Sequence, residues 1–519
     1  MPRPLDVRLL IGLLGVLIAA VLGEFNDQVA SIALTDVRGA LGISADPGTW
    51  LSSLYISAEV IGMTLSYWLA VTFSPRRFIL FVIGLSVTST VPIPLTTNID
   101  LLYVLRTIQG LAEGLTIPLL MGTALRATPP SIRLYGLAMY ALTSTVTPGV
   151  SAALAALWVD AAGWRFVFLE AIPLAAMAAV LAWHGLPQDA PHHERLRQFD
   201  WRGAMLIVAG FGSLTTLLQQ GDRLDWFNSP LIQLLAAISV FAIPLLFINE
   251  WFHQIPLLKP QLLGQRNFAY ATIGLFTVTI ISLSGGQIPL TFLTQVQGYR
   301  PIQTYPILLE IAGLQVVMLP LMAVVLNVKW VDARVVSFIG LGLILAACLG
   351  DAQVTAEWNL DQFWLWQGLQ GIGQPMFVVS LLLIVTNGVR PADAPFATVL
   401  INTPRALAEA VGAWLLALIT RWRGGLHVNR LLDQAGQVRF QVIQAPGLLP
   451  GNQPPLLPNG QPRIPGSLQL FGDAIQRQAT VLTLGDAFLI MVALTVALMV
   501  LLLVLPVRSY PPRIALATK

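Results

Sequence analysis

The chain is poor in charge and almost empty of cysteine. Asp, Glu, Lys and Arg make up 11% of its 519 residues, against 55% hydrophobic. With a mean hydropathy of +0.73, that balance excludes an ordinary soluble domain. The single cysteine, Cys348, excludes a disulfide within the chain and any cysteine-based metal cluster. Of the five histidines, His192 and His193 stand side by side in one loop, and two adjacent histidines do not define a metal site. No HExxH, no GxSxG nucleophile elbow and no GxxxxGK[ST] phosphate loop occurs, so the common hydrolase and nucleotide-driven chemistries have no residues to act through. The net charge of +3 comes from basic residues scattered singly and in pairs between apolar runs rather than from a stripe, so no nucleic-acid partner is expected.

What the chain has in excess is long apolar runs. A membrane-spanning helix takes about 20 mainly apolar residues. That length, with the polar breaks, predicts fourteen spans near 9–35, 50–72, 78–97, 101–124, 134–158, 165–185, 203–220, 230–250, 269–292, 304–327, 334–352, 362–388, 395–419 and 481–507. The first run, preceded by Arg3 and Arg8, has the look of a signal peptide, but Glu24, Phe25, Asn26 and Asp27 stand where a cleavage site would be, so it reads as a first span. Lys and Arg collect in the loops on the side of both termini, including Arg76, Arg77, Arg126, Arg133, Arg195 and Arg197. The short loops of the opposite side hold only Arg38, Arg165, Arg223 and Arg300. The positive-inside rule then puts both termini in the cytoplasm. One long extramembrane segment, 421–480, has a Pro- and Gly-rich centre expected to be irregular and flanks with helix-like spacing at Leu468, Phe471, Ile475 and Leu482.

Charge inside the spans marks candidate function, because a charged side chain at the bilayer centre costs roughly 2.5–3.5 kcal/mol on insertion scales. The fourth span carries Arg106, Gln109, Gly110 and Glu113 at i, i+3, i+4 and i+7, on one helical face. Arg106 and Glu113 are about 10 Å apart along the axis, too far for a direct pair and well placed to bracket one cavity. A related run, QGLQGIGQ, lies in the twelfth span. Setting Gln109-Gly110 against Gln370-Gly371 places Arg106 opposite Gln367 and Glu113 opposite Gln374. Six spans, a two-span insert and six more would make these runs equivalent parts of a parallel repeat, with boundaries at 1–200, 201–260 and 261–519. The other intramembrane acids are Glu24, Asp27, Glu59, Glu310 and Glu409. Arg405 and Glu409, four apart, can neutralise one another. Trp68, Tyr140, Trp366 and Phe377 are candidates for lining an apolar cavity.

These motifs resemble the 14-helix drug:proton antiporter branch of the major facilitator superfamily, over nearly the whole chain. Arg106–Gly110, RTIQG, is similar to the family's fourth-helix motif, whose arginine is associated with proton coupling. Gly48–Ala70 resembles its second helix, Trp164–Pro173 its sixth-helix entry, Gly221–Pro230 the loop between its two extra helices, and Gly485–Phe488 the start of its last helix. Thr147-Pro148-Gly149 looks like a weakened antiporter motif of helix five, where a proline bends the helix. The pattern Gly-x-x-x-Asp-Arg-x-Gly-Arg expected between spans two and three is replaced by YWLAVTFSPRR, which lacks the acid and both glycines. Glu310 stands where an uncharged residue is expected.

The resemblance implies an all-α transporter of the bacterial inner membrane: two six-helix bundles plus two extra helices. It would export drug-like apolar or cationic compounds in exchange for protons, using no cofactor beyond the proton gradient. Asp27 occupies the family's acidic position, and the long loop would face a periplasmic adaptor protein and, through it, an outer-membrane channel. The alternatives are a dedicated exporter of one metabolite, siderophore or lipid-like compound and, from another class, a membrane-embedded enzyme or sensor.

Overall fold

The structure, a computed structural model, describes residues 7–127, 133–390, 393–437, 459 and 467–508. All regular structure among them is helical. In chain order, α1 is Val7–Leu41, α2 Ala45–Phe73, α3 Pro75–Thr90, α4 Ile99–Ala127, α5 Arg133–Ala161, α6 Trp164–Leu169 and α7 Ala171–Gly185. Helices α8, Trp201–Gln220, and α9, Pro230–Phe252, form the two-helix insert. Then come α10 Arg266–Ile281, α11 Gln287–Gln295, α12 Pro301–Leu326, α13 Ala333–Asp351, α14 Leu360–Gly388, α15 Ala394–Gln437 and α16 Ser467–Val504.

Thirteen segments among the described residues are long and apolar enough to cross a membrane. The thirteenth expected span, 395–419, forms the first part of α15 but falls outside that set. Asn402, Arg405 and Glu409 make this stretch more polar than its neighbours. Two expected spans are broken. Span six divides at Glu170 into α6 and α7, and span nine divides into α10 and α11 around a 3-10 turn at Ser282–Gly285. The flanks of the segment 421–480 are helical, as the spacing of Leu468, Phe471, Ile475 and Leu482 predicts: α15 continues to Gln437 and α16 begins at Ser467. The Pro- and Gly-rich centre lies outside the described residues.

Small residues set the close approach of α2 and α4. Gly110 and Gly114 of α4, one turn apart, face α2, where a Cβ on either would run into the carbonyls of Tyr55 and Glu59. A Cβ at Gly62 would in turn stand 2.7 Å from the Leu111 carbonyl. This small-xxx-small spacing lets two membrane helices approach closely without a hydrophobic driving force between them. It gives Gly110 of the fourth-helix motif a packing role. Across the molecule α5 crosses α12 at Gly149, whose Cβ position is 3.0 Å from the Leu308 carbonyl. The Thr147-Pro148-Gly149 step therefore lies in an otherwise continuous α5, where that helix meets the C-terminal bundle.

Candidate functional site: a buried polar network around Arg106

Arg106 is 2% exposed. Its Nη1 donates to the Asn26 carbonyl of α1 at 2.8 Å and to Gln109 Oε1 at 2.9 Å, and its guanidinium lies 4.1 Å from the centre of the Tyr55 ring. Nη2 is buried without a partner. Tyr55 then links the two ends of the α4 motif: under Arg106 by its ring, it uses its hydroxyl to donate to Glu113 Oε2 and reaches the Gly23 carbonyl at 3.0 Å. Gln109 Nε2 donates to Thr90 Oγ1 at 2.7 Å, and Asn26 Nδ2 to Ser86 Oγ at 3.3 Å. The first four helices are thus joined by one hydrogen-bonded chain. A cavity about one water molecule in size lies within it, lined by Gly23, Ser86, Ala112, Glu113 and Thr116 among others.

The expected acids gather round this chain, with one exception. Glu24 and Asp27 lie one turn apart inside the unbroken α1, with Asp27 close enough to Arg106 for their charges to interact. Glu59, 3% exposed on α2, lies in electrostatic reach of Glu409 and Arg405 on α15, and Glu113 in reach of Glu24 and Asp27. Arg405 and Glu409 form the expected i, i+4 pair at 3.7 Å, with Arg405 3% exposed. The pair does more than neutralise itself, because it faces the N-terminal acids across the contact between the bundles. Next to it, Tyr140 of α5 donates to Asn402 of α15 at 2.6 Å, a direct bond between the two bundles. Five carboxyls (Glu24, Asp27, Glu59, Glu113 and Glu409) therefore share one neighbourhood with two guanidiniums.

Glu310 is the exception. It lies on α12 beside Gly368 of α14, with Oε2 buried and unpartnered, away from the Arg106 network. Of the four aromatic candidates only Tyr140 reaches the contact between bundles. Trp68 packs edge-on to Phe199 at 4.6 Å, Trp366 lies on Gly350, and Phe377 is fully buried against Gly274 and Gly340. These three are packing residues within one bundle.

The sequence reasoning missed Tyr55, Asn26, Thr90 and Asn402. The available signal was spacing: Tyr55 and Glu59 stand four apart on α2, matching Gly110 and Gly114 on α4. It also missed Asp351, the last residue of α13, which is 1% exposed and accepts from Gln367 Nε2 at 2.7 Å.

Gln367, aligned with Arg106, also donates to a backbone carbonyl of its bundle's first span, that of Ser284, at 3.1 Å. Gln374, aligned with Glu113, accepts from Gln315 of that bundle's second span at 2.9 Å, as Glu113 accepts from Tyr55. Residues that align in sequence therefore make like contacts.

Residues 16–359 match the family model of the Major Facilitator Superfamily. The chain is 26% identical over 438 residues to the Multidrug export protein EmrB of Escherichia coli (strain K12), covering 83% of this chain and 84% of that one. It is 27% identical over 429 residues to the EmrB of Haemophilus influenzae, 80% of this chain and 81% of that one. The Fatty acid resistance protein FarB of Neisseria gonorrhoeae is 24% identical over 433 residues, 80% and 82% of the two chains. In fold the chain is similar to the human organic anion transporter MFSD10, with a TM-score of 0.57 at 14% identity over 95% of this chain and all of that one.

Proposed function

The chain belongs to the major facilitator superfamily, and we propose that this membrane transporter exports drug-like apolar or cationic compounds out of the cytoplasm in exchange for protons. The observation that carries the reading is the gathering of five carboxyls around two guanidiniums at the contact between the bundles, with Glu59 and Glu113 buried. Burying an uncompensated charge is costly, so these acids cannot all be ionised while the site is closed. A change in access to water or to a cationic substrate then changes how many protons the group holds.

In the exchange, a substrate arriving from the cytoplasm displaces protons from the acids around Asp27 and Glu113. Arg106 supplies a fixed positive charge beside Asp27, and Tyr55 links Arg106 to Glu113. Outward opening separates Glu59 from Arg405 and Glu409 and breaks the Tyr140–Asn402 bond, and the acids are reprotonated from the far side. Pro148 and Gly149 allow α5 to bend against α12 as the bundles rock.

The likeness to EmrB supports export of several compounds, and on this reading the long segment between α15 and α16 meets a periplasmic adaptor and, through it, an outer-membrane channel. Both termini lie in the cytoplasm of a bacterial inner membrane on this reading. The likeness to FarB favours a second reading, a dedicated exporter of one lipid-like compound. Competition between unrelated drugs and a fatty acid for one transport event separates the two.

The test uses inverted membrane vesicles. An imposed proton gradient should drive accumulation of a fluorescent cationic dye, and Asp27→Asn should abolish it with expression intact. Uptake that proceeds without a gradient and requires ATP would overturn the coupling. Unchanged uptake by the variant would remove Asp27 from the mechanism.

A further inference from the structure

The C-terminal bundle holds its own buried carboxyl, and the hydrogen-bond inventory around it does not balance. Asp351 ends α13 at 1% exposure, as Thr90, partner of Gln109, ends α3. Its Oδ2 accepts from Gln367 Nε2 at 2.7 Å, and the same nitrogen reaches the Ser284 carbonyl at 3.1 Å. Ser284 sits in the 3-10 turn that breaks the span between α10 and α11, and its Oγ accepts from Gln370 Nε2 at 3.1 Å and from Cys348 Sγ at 3.3 Å. The break is made to fit these amides: a Cβ at Gly285 would stand 2.9 Å from Gln370 Cγ.

Both hydrogens of the Gln367 amide are in use, while three acceptors are left over. Asp351 Oδ1, Gln367 Oε1 and Gln315 Oε1 are all buried with no hydrogen-bond partner, and their residues are 1%, 0% and 0% exposed. Buried acceptors without donors are costly, and a buried carboxylate without a cation is costlier still. No basic side chain pairs with Asp351 among the described residues. From α14 it faces Gln367, from the broken span Ser284, and on its own helix Cys348. Glu310 of α12 touches α14 at Gly368, one residue past Gln367. On the other side Gly485 of α16 packs at the Ala352 carbonyl, and the adjacent Asp486 is engaged by Arg423 and His427, each at 2.6 Å. What Asp351 lacks is a counter-charge, and a proton on the carboxyl removes that need: the acid becomes neutral and turns from a pure acceptor into a donor.

We propose that Asp351, held between Gln367 and the broken helix at Ser284, is a second proton-binding site, set in the C-terminal bundle and separate from the Arg106 network. Broken transmembrane helices are where transporters of other folds hold coupling ions, because unwound backbone offers free carbonyls. A proton held here couples to the shape of the break, because the two hydrogens of Gln367 Nε2 join the Asp351 carboxyl to the Ser284 carbonyl. That the proton is exchanged during transport rests on the proton coupling proposed above, whereas its presence on Asp351 does not.

Infrared difference spectra of the purified protein test the site. Asp351→Asn keeps the acceptor facing Gln367 and resembles the protonated acid, so it should fold. Wild type minus variant should show the carbonyl band of a protonated carboxyl at neutral pH, replaced by the carboxylate bands at alkaline pH. A carboxylate signature already present at neutral pH overturns the proposal. If Asp351→Asn fails to fold, Asp351→Glu keeps the acid, and a protonated-carboxyl band that does not shift in that variant overturns it equally. Substrate-induced proton release, measured in detergent with a pH dye, should fall in Asp351→Asn relative to wild type. If wild type releases no protons, the coupling reading fails while the infrared result still decides the site.

Discussion

The Arg106 site and the Gln367 site are built on one plan and filled with different chemistry. In each, the residue opening the motif ties its helix to a backbone carbonyl of the bundle's first span, Asn26 in one and Ser284 in the other. In each, the residue seven positions on is bonded from the second span, Glu113 from Tyr55 and Gln374 from Gln315. The N-terminal version uses a cation, an acid and a tyrosine, and it looks across to Arg405, Glu409 and Asn402. The C-terminal version uses amides, with its one carboxyl enclosed within the bundle. The difference teaches that the frame is a packing solution common to both halves, while a guanidinium is added to it only in the half whose acids face Arg405 and Glu409. An amide satisfies the frame; a guanidinium satisfies it and also sets a field.

Making the first site resemble the second should have the largest effect. Arg106→Gln puts the C-terminal residue into the N-terminal frame. It keeps a donor for the Asn26 carbonyl but leaves the surrounding carboxyls without their nearest cation. Gradient-driven dye export should fall to background while the protein still folds, as judged by gel filtration. Export near the wild-type rate would show that the field of Arg106 is dispensable. Next comes Glu113→Gln, again the C-terminal residue. It keeps an acceptor for Tyr55 and removes one titrating group. Downhill efflux should persist while its acceleration by a proton gradient is lost, and retention of that acceleration would take Glu113 out of the coupling.

Tyr55→Phe is a smaller change. The ring stays beneath Arg106 and the hydroxyl that joins Glu113 to Gly23 goes, leaving a buried acceptor unpaired at about 1–3 kcal/mol. Gln315→Leu makes the matching cut in the C-terminal frame, where a neutral amide partner should make the loss smaller, about 0.5–1.5 kcal/mol. Thermal melts in detergent compare the two. Equal losses would mean that charge adds nothing to the frame.

Both the plan and its charged filling were legible in the sequence, the first from the alignment of LRTIQGLAE with QGLQGIGQ, the second from the cost of placing Arg106 and Glu113 in an apolar run. What sequence could not supply was which neighbours answer those residues. Tyr55 lies in an ordinary apolar helix and is brought in by the Gly110–Gly114 approach, and Asn402 is brought in by its bond to Tyr140 of α5. Asp351 was hidden by position: at the end of a span it reads as a residue entering water, and its burial comes from the break at Ser284, where a run of small residues looks from composition like continuous helix. The four aromatics illustrate the opposite error. Ring size predicts burial well and cavity lining poorly, because most large rings serve the core of their own bundle.

The comparison reaches to one short connection in each half, α2 to α3 and α12 to α13, where the smallest effect is expected. Between α2 and α3 the chain turns through Ser74 alone, in a left-handed conformation at φ 76°, and Arg76 stacks on Trp183 at 4.4 Å with no acid in the turn. The connection between α12 and α13 keeps one. Asp332 caps α13 by accepting from the Arg334 backbone at 3.0 Å, and it also engages the Arg334 side chain at 2.8 Å and Arg508 at 3.5 Å. Burial pushes this carboxyl upward, but the hydrogen bonds from Arg334 and the charges of Arg334 and Arg508 outweigh it and hold it below the usual carboxylate value. A carboxyl lowered on folding adds stability above its unfolded pKa of about 3.9 and loses that contribution as pH falls through the folded value. Both arginines are well exposed, so solvent screening limits the ion pairs to about 1 kcal/mol or less. Asp332→Asn should therefore lower the melting temperature slightly at neutral pH, with the gap from wild type closing in acid. Arg76→Gln should give a shift that does not change over the same range, because no carboxyl takes part in its stack. A gap for Asp332→Asn that persists in acid would assign the whole effect to the helix cap, and the two connections would then differ in geometry alone.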